Sequence, residues 1–107
     1  MSDLNSIFSA LGDDTRRAIL ARLMEGEAPL SRLAEPFDMS QTAVTRHVRV
    51  LEAAGLVQVE KRGRVRHCSL TPEPFANAAS WLEDYRPFWE ARMENLARYL
   101  KAEGDKE

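Results

Sequence analysis

The chain has 107 residues, of which 44% are hydrophobic and 30% charged, and its formal net charge is −2. This length suits one domain with a modest core, a size that often gains stability by dimerising. With one cysteine the chain cannot form an intramolecular disulfide framework. The sequence shows neither a secretory signal nor an apolar run of the ~18 residues that a membrane helix needs, so we expect a cytoplasmic protein.

The N-terminal part predicts two helices, one over about Leu4–Ala10 and one over about Asp14–Met24. Asp13 or Asp14 offers a capping carboxylate for the second helix. Gly26 and Pro29 then indicate a turn. Three side chains of the second helix are expected outside its core face, namely Arg16, Arg17 and Arg22. Arg16 and Arg17 are expected in solvent or in intramolecular ion pairs. The core face of this helix is formed by Ile19, Leu20 and Leu23.

A third helical pattern covers Leu30–Phe37, and we expect Pro36 to end it early because proline cannot continue a helix. Asp38 and Met39 separate this pattern from Ser40. That spacing suits the two helices of a helix-turn-helix.

The following helix is predicted over Gln41–Ala54, with Ser40 as its N-cap and Gly55 as the left-handed residue that ends it. Apolar side chains recur along it at the i, i+4, i+7 spacing of a core face, which is Val44, Val48 and Leu51. The opposite face is polar and able to reach base edges in a major groove: Gln41, Thr42, Thr45, Arg46 and Arg49.

Beyond this helix, short β-rich runs flank a basic tip, Lys61-Arg62-Gly63-Arg64, which predicts a hairpin. The segment 40–71 holds six Lys or Arg against two Glu, a charge of +4 that leaves −6 for the rest of the chain. Such a concentration of positive charge indicates a surface that binds a nucleic acid backbone. The acidic remainder is expected to face away from DNA.

The C-terminal segment, Pro72–Leu100, carries an apolar stripe at helical spacing that is too long for a core of this size. Burial against a second copy of the chain would cover it, so we predict a homodimer. Pro87 predicts a kink or a fresh helix start within the segment. A less favoured interpretation is an aromatic ligand pocket formed by Trp81, Tyr85, Phe88 and Trp89.

Three segments, LGDDTRRAILARLM, MSQTAVTRHVRVLEAAGLV and KRGRVRHCSL, resemble the ArsR/SmtB winged-helix repressors in order and spacing. The resemblance implies a mainly α fold with a small β-hairpin (α+β), a winged helix-turn-helix with N- and C-terminal dimerisation helices. Residues 1–107 would form one domain, and residues 72–101 its dimerisation segment. The implied function is a dimeric, DNA-binding transcriptional repressor on an imperfect palindromic operator of double-stranded DNA.

Together, the pattern and the resemblance assign two sets of residues. The predicted DNA-binding set is Ser40, Gln41, Thr42, Thr45, Arg46, Arg49, Lys61, Arg62 and Arg64. The predicted dimerisation set is Leu4, Phe8, Leu82, Tyr85, Trp89, Met93, Leu96 and Leu100.

The metal sites of the family are not expected in this chain. Pro29 and Ser31 align where many relatives have Cys-x-Cys, and neither supplies a ligand. The second family site uses histidine on the last helix, yet no histidine follows His67. His47 and His67 are expected as packed or surface residues. We therefore predict no metal and no cofactor, and an effector, whether small molecule or protein, is left open.

Two alternatives remain for the function. One is a winged-helix module that binds a protein partner and no DNA. The other is a redox regulator acting through Cys68, although a buried structural thiol is the expected state of this residue. No motif of an enzyme active site occurs, so we do not expect catalysis.

Overall fold

A computed structural model describes residues 3–104; residues 1–2 and 105–107, the ends of the predicted domain, lie outside the described part. It confirms the mainly helical winged helix-turn-helix. The elements in chain order are α1 (Leu4–Leu11), α2 (Asp14–Leu23), β1 (Ala28–Pro29), α3 (Leu30–Leu33), α4 (Gln41–Ala53), β2 (Val57–Arg62), β3 (Val65–Leu70), α5 (Pro72–Glu83) and α6 (Arg86–Gly104).

Side-chain caps begin α2 and α4 as the sequence predicts. Asp13 is the cap of α2, and its Oδ2 accepts from the backbone N–H of Arg16 at 3.0 Å. Ser40 Oγ accepts from the backbone N–H of Ala43 at 3.1 Å. Each cap satisfies a backbone donor that has no partner inside its own helix.

The apolar face of α4 is fixed in the core. Val44, Val48 and Leu51 are 0%, 1% and 0% exposed and pack in one cluster with Ile7 of α1 and Ile19 of α2. This confirms the predicted core face of α4. Because α4 is held on this side by both N-terminal helices, its polar side faces solvent.

A Schellman motif ends α4. Gly55 has φ +80°, and its N–H donates to the carbonyl of Glu52 at 2.9 Å. The N–H of Leu56 donates to the carbonyl of Leu51 at 3.0 Å, and the Leu56 side chain is fully buried. The chain thereby turns directly from α4 into the β-hairpin.

The sheet is antiparallel in the order β1-β3-β2. The turn predicted at Pro29 is wrong in part, because Ala28 and Pro29 pair with Cys68 and His67 of β3. A two-residue edge strand has no periodicity to read, and proline is tolerated at an edge where no partner needs its N–H. The third helix ends at Leu33, which agrees with the early end expected from Pro36.

A two-residue turn closes the hairpin between Arg62 and Val65, which are paired. Gly63 has φ +63°, whereas Arg64 does not have a positive φ. Glycine at the first central position is the pattern of a type II′ turn, whose twist matches that of the flanking strands. Arg64 is therefore displayed at the tip of the wing.

The C-terminal segment is divided between α5 and α6, and Pro87 is the second residue of α6. This confirms a fresh helix start, a position at which proline loses no helical hydrogen bond. No residue of α6 is buried, and the molecule extends 61 Å along its longest axis. Within residues 3–104, no helix is both long and apolar enough to cross a membrane.

Cys68 lies in the middle of β3, between Ala28 of β1 and Val59 of β2. Its side chain is 0% exposed, which agrees with the expected buried structural thiol. Burial, and secondarily the carboxylate of Glu52, raises the pKa of the Cys68 thiol to about 11. The reactive thiolate is thus disfavoured at neutral pH, which argues against the redox alternative.

Alkylation tests this assignment. Because the thiol is both buried and protonated at about pH 7.5, iodoacetamide should modify native Cys68 at least about a hundredfold more slowly than the unfolded chain. The rate should rise as the pH approaches the raised pKa of about 11. Mass spectrometry at timed intervals measures the rate, and rapid labelling of the native protein at neutral pH would contradict the burial.

Candidate nucleic-acid interface

The polar face of α4 forms one continuous surface. The structure brings together there the five α4 residues of the predicted DNA-binding set, around a shallow groove of about 490 Å³. Among residues 3–104, neither Arg46 nor Arg49 has an ion-pair partner, so both guanidinium groups are available to an anion. The groove is lined by Gln41, Thr42, Thr45, Arg46 and Arg49.

A second cleft, of about 330 Å³, separates the start of α4 from the wing. Gln41 and Thr45 form its helix side, whereas Arg64 and Arg66 of the hairpin form the other. Ser31 of α3 also lines it. Arg66 and Ser31 are absent from the predicted DNA-binding set, although alternation along β3 could have placed Arg66 on the face of Cys68.

The strand register explains why Arg66 faces this cleft. Val59 pairs with Cys68 on the core face of the hairpin, and the next pair on that face is Lys61 with Arg66. Both cations therefore extend the core face past the edge of the apolar cluster. Arg66 reaches the cleft beside α4.

Arg62 lies on the opposite face, in an ion-pair cluster. Its two terminal nitrogens contact the Glu27 carboxylate at 2.8 and 3.2 Å, and one also lies 3.4 Å from Glu60. His67 Nδ1 is 3.9 Å from Glu27. The hydrogen bonds between Arg62 and Glu27 lower the pKa of the Glu27 carboxyl and raise the pKa of the Arg62 guanidinium. A DNA contact by Arg62 stays a prediction that requires this pair to open.

Arg16 is half-buried, whereas Arg17 is exposed, as expected. Among residues 3–104 neither forms an ion pair, and both bind backbone carbonyls of α1 instead. Arg17 donates to the carbonyl of Leu11 at 2.7 Å, and Arg16 Nε donates to that of Ala10 at 2.6 Å. Both carbonyls belong to the last turn of α1, where they have no helical partner. Periodicity cannot reveal such contacts, because they depend on how α1 and α2 meet.

No metal site is evident in the described part of the chain: it contains no group of three or more His, Cys, Asp or Glu side chains arranged to hold an ion. Pro29 lies at the end of β1 and Ser31 in α3. The absence of a metal and of a cofactor stays a prediction.

Comparison with known proteins agrees with this architecture. A model of a helix-turn-helix domain matches residues 11–60. The crystal structure of the ArsR family transcriptional regulator RHA00566 is 46% identical and superposes with a TM-score of 0.76, covering 81% of this chain and 96% of that one. The chain belongs to the ArsR family. As a member, it is a winged-helix transcriptional regulator that binds DNA.

Relatives in the ArsR family match over most of their length. The HTH-type transcriptional regulator Rv2034 of Mycobacterium tuberculosis is 35% identical over 98 residues, which are 92% of this chain and 89% of the relative. The arsenical resistance operon repressor of Escherichia coli is 32% identical over 96 residues, which are 89% of this chain and 80% of the relative.

The two faces of the wing predict different roles for its arginines. Arg66→Ala should weaken binding to all DNA sequences and lower the salt slope by about one unit, because an unpaired cation facing α4 is lost. Arg62→Ala should change the slope by less, since Glu27 and Glu60 already neutralise Arg62. Fluorescence anisotropy with a labelled duplex over a series of salt concentrations measures both slopes. Equal slopes for the two variants would contradict the assignment.

Proposed function

We propose that this ArsR-family protein is a homodimeric repressor that occludes a promoter by binding an imperfect palindromic operator, without a metal ion at the family's usual sites. The observation that carries the proposal is the division of α4 into a buried apolar face and an exposed face of two unpaired arginines and three polar side chains. A helix whose polar face was merely solvated would not need the cleft beside it that Arg64 and Arg66 line.

The residues of α4 would read the operator in the major groove. Its N-terminal turn carries Gln41 and Thr42, which suit base edges and phosphates, and Arg46 one turn later suits guanine O6 and N7. Lys61, Arg64 and Arg66 would contact the phosphate backbone on the wing side. Ser40 and Arg49 would bound the same surface, and Arg66 and Ser31 would extend it. Arg62 would join this surface only if its ion pair with Glu27 opened.

A second copy would cover the apolar surface at the two ends of the chain. Phe8 of α1 contacts Trp81 of α5 edge-on, with ring centroids 5.6 Å apart, and Trp81 packs on Tyr85 at 4.9 Å. Leu4 of the predicted dimerisation set packs partly against the chain's own core. The other seven side chains of the set are between 36% and 62% exposed: Phe8, Leu82, Tyr85, Trp89, Met93, Leu96 and Leu100.

Burying such side chains contributes about 1.5–3 kcal/mol each, enough to favour association over exposure in water. A two-fold arrangement would place the two copies of α4 in successive major grooves about 34–36 Å apart. This spacing is what makes a palindrome the expected operator. Arg86 and Arg92, stacked on Trp89 and Phe88, would lie at the rim of the interface.

Repression is supported by the name of the Escherichia coli relative and by the simplest consequence of dimer binding, which is occlusion of a promoter. Action on DNA would take place in the cytoplasm. An effector would act by favouring a dimer geometry in which the two α4 helices are wrongly spaced, since a ligand shifts an equilibrium only through differential affinity. Its chemical class is not proposed.

Selection of bound sequences from random duplex DNA, with and without chelator, tests the DNA-reading role. A palindrome enriched equally in both samples is expected. Arg46→Ala should then lose about ten- to hundredfold in affinity at one base pair of each half-site, whereas Lys61→Ala should weaken all sequences alike. An absence of enrichment would contradict the proposal and favour the protein-interaction module.

Sedimentation tests the dimer independently of DNA. At micromolar concentration the wild type should sediment at twice the chain mass of 12.1 kDa. Leu96→Glu should shift the equilibrium to monomer, because it places a charge in a desolvated seam. Asn95→Glu, on the side of α6 away from the apolar stripe, is the matched control for the added charge. A monomeric wild type would contradict the two-fold operator geometry.

A further inference from the structure

Arg16 connects three elements of the fold. Its Nε donates to the carbonyl of Ala10 at 2.6 Å, and one terminal nitrogen donates to that of Ser9 at 3.1 Å, both in the last turn of α1. The other terminal nitrogen lies 3.3 Å from Nδ1 of His47, on α4. One planar guanidinium on α2 thus joins α1 to the helix that carries the DNA-binding face.

The charge on Arg16 suits its position at the end of α1. Carbonyls in the last turn of a helix lack helical partners and carry partial negative charge, so a cation there is stabilised. The fork geometry of the guanidinium allows one side chain to serve two carbonyls and an imidazole at once. Arg17, the next residue, donates to the Leu11 carbonyl, and within residues 3–104 it forms no hydrogen bond or ion pair with α4.

The contact to His47 depends on the charge of the imidazole. A guanidinium has donors only, so Nδ1 of His47 must offer its lone pair, which leaves the proton on Nε2. A protonated imidazole would direct an N–H at the guanidinium and repel it. Asp13 could bind the protonated imidazole instead, because its Oδ2 lies 3.8 Å from the same Nδ1.

Few charged groups surround His47. Among residues 3–104, the charged side chains that contact it are Arg16 and Asp13, both contributed by α2 and its cap. The last turn of α1 contributes only the carbonyls that bind Arg16, and on α4 itself Arg46 is the adjacent residue. Protonation would therefore exchange a bond to Arg16 for an ion pair with Asp13.

We propose that Arg16 is a positioning residue for DNA recognition, which sets the orientation of α4 relative to α1 through the neutral imidazole of His47. This inference rests on the DNA-reading role proposed for α4. Because α1 also carries Phe8 of the proposed dimer seam, the Arg16 bridge connects that seam to α4. Protonation of His47 breaks the bridge and weakens operator binding.

The pH dependence of affinity tests the bridge, with the duplex enriched by the wild type as the probe. Affinity should fall by up to about tenfold on acidification, because a protonated imidazole can no longer accept a hydrogen bond from Arg16. This sign is diagnostic, since added positive charge ordinarily strengthens binding to phosphates. His47→Gln, whose carbonyl accepts from Arg16 without titrating, should retain affinity and lose the pH slope. His67→Gln should retain the slope.

Arg16→Lys and Arg17→Lys form a matched pair. The first should lower affinity about tenfold at about pH 7.5, with the dimer intact, because an ammonium cannot serve all three acceptors. The second should change affinity by less than about threefold. If Arg16→Lys does not fold, the nitrogen-15 spectrum of the imidazole decides: wild-type His47 should show the Nε2–H tautomer, and an Nδ1–H tautomer would overturn the bridge.

The outcomes separate the two proposals. An enriched duplex with the same pH slope for wild type and His47→Gln overturns the bridge alone. Affinity that rises on acidification in both proteins does the same. Failure of the wild type to enrich any sequence overturns the DNA-reading role, and the positioning role of Arg16 with it.

Discussion

The seating of α4 in the core is the constraint on which the remaining structure depends. Val44, Val48 and Leu51 are buried almost completely, and their spacing fixes the rotation of the helix about its own axis. Truncating one such side chain typically costs about 2–5 kcal/mol, a large share of the stability of a small domain. The same rotation that buries these residues displays Arg46 and Arg49. Folding and the proposed recognition of DNA by α4 would therefore both follow from one periodic pattern.

The wing shows how strand alternation sorts charges of the same sign. Lys61 and Arg66 continue the face that carries Val59 and Cys68, and Arg66 lines the cleft beside α4. Arg62, one residue further along β2, turns to the other face and is held by Glu27 and Glu60. The basic run of the wing is thus divided between two faces. Cations on the first face can bind a phosphate directly, whereas Arg62 on the second would first have to leave its carboxylate partners.

The sequence predicts this molecule well wherever the information is local. Ser40, Gly55 and the apolar stripe of α4 are sufficient for a helix with a capped start, a Schellman end and a known buried face. The basic tip and Gly63 likewise predict the hairpin. These features hold because each depends on neighbours within a few residues.

Features set by tertiary contacts were not predictable in the same way. β1 is too short to show alternation. The pairing of Arg62 with Glu27 spans 35 residues, and that of Arg16 with His47 spans 31. The ion pair of Arg62 and the position of Arg66 beside α4 both depend on the strand register, which a count of residues along the chain does not give.

The central claim is that two copies of α4 lie in successive major grooves of one operator. Guanine N7 methylation places a methyl group in the major groove, so interference with binding reports that contact directly. The account predicts two clusters of interfering guanines, related by two-fold symmetry and centred about 10 base pairs apart or a multiple of that spacing. A single cluster, or binding that is insensitive to methylation in the major groove, would contradict it.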